Sequence, residues 1–173
     1  MASDTKNVKL GVCTVFYNDV DLGYTKGGVE VEVGTETHKV TVDQFGMTEI
    51  NEYIMKRTVA VKIPLAETTL ENLVATMPGS TLVVDSVDPL KRRVDVGTGI
   101  GTNLLDIAQE LRLRPVGNLT AAEDFVIPLA ATPGALSYAY KFDDERVFNA
   151  SFTGYPDPAT GVLFKVGDPT AVD

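Results

Sequence analysis

Val29-Glu30-Val31-Glu32-Val33 alternates without a break, three valines against two glutamates. An extended chain points successive side chains to opposite faces, so the stretch reads as a half-buried strand, valines toward a core and glutamates toward water. The same period of two returns in His38–Val42 and Thr58–Ile63. Further candidates are Thr81–Asp85, Arg93–Val96, Asp124–Leu129, Ser137–Phe142, Arg146–Phe152 and Val162–Val166. Glycine, proline and aspartate clusters separate them: Gly27-Gly28, Asp43 to Gly46, Pro78-Gly79, Pro133-Gly134, Asp143-Asp144 and Pro156 to Pro158. Strands this short and evenly punctuated predict a mainly β fold, an antiparallel sandwich or open barrel.

One helix stands out, at about residues 69–77. Thr68-Thr69-Leu70-Glu71 matches a capping box, with Thr68 as the cap and Glu71 reaching back. Leu70, Leu73, Val74 and Met77 follow at helical spacing as its core face, and Pro78-Gly79 stops the run. Two turns are too short to stand alone, so the helix must dock on a sheet. Leu104–Val116 fits a helix at first and a strand later; a strand is expected in its second half.

The chain of 173 residues is read as one domain, 1–173, large enough to bury a core without metal or disulfide. No signal-peptide pattern is read at Met1–Val8, and no apolar run approaches the ~20 residues that cross a membrane as a helix. Fifteen basic against 24 acidic residues leave −9, which opposes general binding to nucleic acid. The basic cluster Lys91-Arg92-Arg93 lies between Asp88 and Asp95 and reads as a solvated turn or an ion-paired contact.

Catalytic chemistry finds little to stand on. Gly97-Thr-Gly-Ile-Gly-Thr lacks the Lys-Ser/Thr of a phosphate loop and the third glycine of a dinucleotide fingerprint, so it reads as a loop. Cys13 and His38 are each the sole residue of their type, which supplies no metal-ligand spacing. As a nucleophile–base pair they would need Cys13 exposed, whereas its neighbours Val12, Val15 and Phe16 suggest a small buried side chain. No Gly-x-Ser-x-Gly elbow occurs, and Asp85/Asp88 and Asp143-Asp144-Glu145 match no calcium loop. The expectation is a protein that is not an enzyme and uses no cofactor or metal.

Read in order, several segments resemble the major tail proteins that build the tail tubes of siphophages. They are Gly11-Val-Cys-Thr-Val-Phe-Tyr-Asn, Asp21-Leu-Gly-Tyr-Thr-Lys-Gly-Gly-Val-Glu-Val and Val40-Thr-Val-Asp-Gln-Phe-Gly, then Val61-Lys-Ile-Pro-Leu-Ala-Glu-Thr-Thr-Leu-Glu-Asn-Leu. Phe125-Val-Ile-Pro-Leu-Ala-Ala, Arg146-Val-Phe-Asn-Ala-Ser-Phe-Thr-Gly-Tyr-Pro-Asp and Leu163-Phe-Lys-Val-Gly-Asp close the series. No single piece is diagnostic; the likeness lies in their order and spacing. It implies a β-sandwich or open barrel with one flanking helix, a fold shared with contractile-tail and type VI secretion tubes. It also implies subunits in stacked, commonly hexameric, rings around a channel for DNA in transit. The place of action would be the virion tail, assembled in the host cytoplasm. Tape-measure, tail-terminator and baseplate or distal tail proteins are the implied partners besides the chain itself. The immunoglobulin-like domain that many relatives carry after the tube domain is not expected here.

Elementary physics favours self-assembly too. A sandwich leaves edge strands unpaired, and a head-to-tail ring covers each edge with a neighbour. Asp43–Arg57 joins two strands as a long hairpin loop, and its Phe45, Met47, Ile50, Tyr53, Ile54 and Met55 are costly to expose. They are the candidates for contact between rings, the bland alternative being a twisted hairpin packed on its own domain. Six copies at −9 each carry about −54, and an acidic channel would not hold DNA. Glu30 and Glu32 are the candidates for that lining; otherwise they face bulk solvent. Two other readings stay open: a type VI secretion-like tube protein, and a monomeric β-sandwich binding module.

Overall fold

A computed structural model describes residue 8 and residues 11–117 and 120–171. The fold is mainly β, sandwich-like and antiparallel, with one α-helix. Its centre is β4, Glu49–Leu65, a strand of 17 residues. In the half nearest the helix, Val59, Val61, Ile63 and Leu65 point inward and are fully or almost fully buried, while Lys62 between them is exposed. There β4 pairs with β10, Phe148–Tyr155, whose Phe148, Ala150 and Phe152 face the same core. Each such large side chain contributes about 1.5–3 kcal/mol on burial.

Beyond β10 the sheet continues through β8 (Phe125–Ala131), β7 (Gln109–Pro115), β1 (Cys13–Tyr17) and the two-residue β2 (Val20–Asp21). Beyond β4 in the other direction lies β3, Glu30–Thr41, the outermost strand among the described residues. Two short strands, β9 (Leu136–Ser137) and β11 (Lys165–Val166), pair with β10 and β8. Gly154 leaves room over β10 for side chains of the two strands beside it. A Cβ there would come within 2.4 Å of Val59 and 2.8 Å of Ile127, so these side chains of β4 and β8 fit over β10 only because glycine has none. The segment after β2 ties β1 to β4: Leu22 N–H donates to Val15, while Thr25 pairs with Leu65 and Lys26 N–H donates to Pro64.

The antiparallel registers set which strand ends lie together. Tyr17, Gln109, Ala131, Phe148 and Leu65 end their strands on one rim of the sheet. On that rim sit α1, Leu70–Thr76, and a separate hairpin of β5 (Ser80–Val84) and β6 (Arg92–Val96).

Several details differ from the sequence reading. The helix cap is Thr69, accepting from Asn72 N–H at 3.1 Å, whereas Thr68 accepts from Arg146. Leu70, Leu73, Val74 and Met77 are only half-buried; the buried side chains of α1 are Asn72 and Thr76. Apolar spacing missed them because their burial rests on hydrogen bonds. The Asn72 amide donates to the Leu22 and Glu67 carbonyls, both at 2.8 Å, and Thr76 donates to Asn72 O. The strand expected over Ser137–Phe142 shrinks to β9, and that over Val162–Val166 to β11. Val31 and Val33 stay partly exposed, since β3 is an outermost strand with nothing laid over it. The strand expected late in Leu104–Val116 is β7.

Candidate assembly interface

The hairpin loop expected over Asp43–Arg57 is mostly strand. Only a turn remains, a 3-10 turn at Asp43–Phe45 followed by Gly46 to Thr48, and β4 begins at Glu49. The β3–β4 ladder runs from Glu30↔Lys62 to Thr41↔Glu49. Since β10 reaches only as far as Ala60 on β4, residues 34–41 and 49–58 form a two-stranded arm with no third strand among the described residues. At ~3.3 Å per residue it projects roughly 25 Å. A two-stranded ribbon is marginal in water by itself, so its length asks for a surface to lie on.

Two bulges shape the arm. The register slips between Glu36 and Thr37 and again between Val40 and Thr41, leaving Met55 and Ile50 without cross-strand partners. A bulge bends and twists its strand and re-aims the extra side chain. All six residues read as contact candidates are exposed, from Ile50 at 49% to Met47 at 96%.

Charge decorates the arm and the β3–β4 ladder at its base as pairs. On one face Lys62 Nζ lies 3.1 Å from Glu30 and 3.9 Å from Glu32, and Lys56 lies 3.1 Å from Glu36. Glu30 first, then Glu32, push the Lys62 ammonium above its ordinary value. On the other face Lys39 pairs with Glu49 at 2.8 Å, and Thr37 donates to Glu52. Glu30 and Glu32 do share an exposed face, as alternation requires, but with Lys62 between them they are half of a mixed ladder and not a bare acidic strip.

The structure separates the residues that chemistry would need together. Cys13 is half-buried in β1, where burial raises its thiol, while His38 rides on the exposed arm. Among the described residues no cluster of three or more His, Cys, Asp or Glu could hold a metal ion. A cleft of about 930 Å³ is bordered by Lys26, Glu30, Lys62 and small residues of β9 and β10, with no histidine or cysteine in its wall. No described helix is long and apolar enough to cross a membrane.

Sequence reasoning missed two features. The β5–β6 hairpin exposes Val87 and Leu90 in its turn, each at 91%. The loop before β10 is pinned by Lys26, which pairs with both Asp144 and Glu145. A pairing across more than a hundred residues leaves no local signal. No protein-family model and no curated protein sequence matches the chain.

Proposed function

We propose that the protein is a structural subunit of a phage tail tube, self-assembling into stacked rings around a channel that conducts DNA. The observation that carries this reading is the unsupported arm with its exposed apolar tip. Its six apolar side chains expose on the order of 700 Å², taking roughly 150–250 Å² for a large side chain left in water. That area is spread around the arm, since Tyr53 and Ile54 are strand neighbours on opposite faces, and a partner enclosing the arm would cover close to the ~800 Å² each side contributes to a stable interface. The long outer edge of β3 pairs with no strand among the described residues, and a neighbouring copy in a ring would satisfy its backbone groups. The tail-protein resemblance of the sequence supplies the rest: a hexameric ring, DNA as cargo in transit, and tape-measure, terminator and distal tail proteins as neighbours.

Negative-stain microscopy of the purified chain, over a wide concentration range, tests it. Rings or tubes with a pore of nanometre width are the expected result. A monomer at every concentration would favour the binding-module reading and overturn this one. A tube that passes protein and excludes DNA would point to the secretion type.

A further inference from the structure

We infer that a cleft on the α1 rim is the socket for the arm tip of a second copy, so that copies join head to tail along β4. This rests on the reading of the arm as an assembly contact. The tip, Phe45-Gly46-Met47-Thr48, is uncharged, with Asp43 and Glu49 set back on either side. Burying a charge without a partner is costly, so an uncharged tip selects an uncharged receptor. Clefts elsewhere on the surface carry charged side chains in their walls: Lys26, Glu30 and Lys62 in one, Lys141, Asp144 and Glu145 in another, Arg57 in a third. The cleft on the α1 rim has none. Val20, Val74, Met77, Pro78 and Ile107 give it an apolar wall, with Tyr17, Gln109 and Thr132 around them. At about 350 Å³ it has room for a few side chains and not for a folded element.

Position decides the occupant. The cleft gathers Tyr17, Gln109 and the residue after β8, all on the rim where the strands end beside α1. The arm leaves by the opposite rim, and β4 alone spans roughly 50 Å. A subunit therefore cannot fill its own socket. A tip at one end and a socket at the other make a heterologous contact, the kind that repeats along an axis. Val20 at 60% exposure and Ile107 at 37% are the apolar surface this contact would cover.

Disulfide trapping tests the pairing in the full chain with Cys13→Ser. Met47→Cys and Val20→Cys, each in a separate batch, are mixed under mild oxidation at assembly concentration. The expected result is a covalent dimer in the mixture, little in either batch alone, and a ladder of multimers from the doubly substituted chain. Val20→Asp, on an exposed residue, should reduce trapping of Met47→Cys with Ile107→Cys at least tenfold without moving the thermal midpoint. Trapping of Met47→Cys with itself would show tip-to-tip contact and overturn the socket. Tubes in micrographs without any cross-link would overturn the socket and leave the tube reading standing. Cross-links without rings or tubes would do the reverse.

Discussion

Asp124 is fully buried and takes Arg114 in a forked grip, Nη2 at 2.6 Å and Nε at 3.0 Å. The pair joins β7 to the turn before β8, where Asp124 also accepts Gly167 N–H on its backbone carbonyl. Asp124 is the buried partner, while water reaches part of Arg114, so losing the arginine strands the carboxylate. Arg114→Met should lower stability by about 3 kcal/mol in urea unfolding. Asp124→Ala added to it should recover part of that loss. A drop below ~1 kcal/mol for the single change would mean the pair is ornamental.

Asn72 makes a second specific demand. Its amide feeds two carbonyls from separate parts of the chain, and both would lose a buried donor in Asn72→Ala. We expect a loss of about 2–3 kcal/mol. Leu73→Ala, on the half-buried apolar face of the same helix, should lose less. Equal losses would show that packing and not hydrogen bonding docks α1.

The arm tip should behave in the opposite way. Phe45 and Met47 touch water, so Phe45→Asp with Met47→Asp should leave the urea midpoint of the subunit within error. Assembly should disappear, because two carboxylates would have to be buried to form the contact. Sedimentation velocity reads both species. Wild-type assemblies from the double variant would remove the tip from the interface.

Lys26 holds the Asp144 and Glu145 carboxyls below their ordinary values, mainly by direct hydrogen bonding to each. Carboxyls so depressed add stability above the ordinary carboxylate range and lose it as pH falls through the depressed values. The lysine is raised by the same contacts, so its share is present at neutral pH and fades only in strong base. Acidification well below the ordinary carboxylate range should therefore loosen residues 138–147 ahead of the body. Lys26→Met should do the same at pH 7. Amide exchange confined to that segment is the expected readout, and unchanged protection in Lys26→Met would rule the clasp out.

Glu30→Lys with Glu32→Lys would set three lysines together in place of the present mixed ladder. Under the tube reading the subunit still assembles, but DNA ejection slows, most at low ionic strength where screening is weakest. Normal ejection at low salt, from particles shown to hold the substituted subunit, would put both residues outside the channel.

The β class, the helix and most strand positions were legible because each leaves a local period. Val59 to Leu65 announces its burial by alternation, and Pro78-Gly79 announces a stop. The arm was half legible. Its apolar residues were conspicuous, but two bulges break the alternation at Ile50 and Met55, so strand looked like loop. Val31 and Val33 show the converse, since alternation gives a facing direction and says nothing of whether another layer covers it. Pairings such as Lys26 with Asp144 and Asn72 with Leu22 depend on how the fold brings distant segments together. Neither bordering sequence encodes them alone.

One unbroken strand, β4, is at once the shaft of the arm and a stave of the core. Tension applied at Phe45 would travel along that strand and meet the β10 ladder lengthwise. The six residue pairs from Ala60↔Thr153 to Leu65↔Phe148 would then be loaded in shear, all together, and not peeled apart one at a time. Mechanically the subunit resembles a nail driven along the grain: the arm would bend at its bulges well before it could be drawn out.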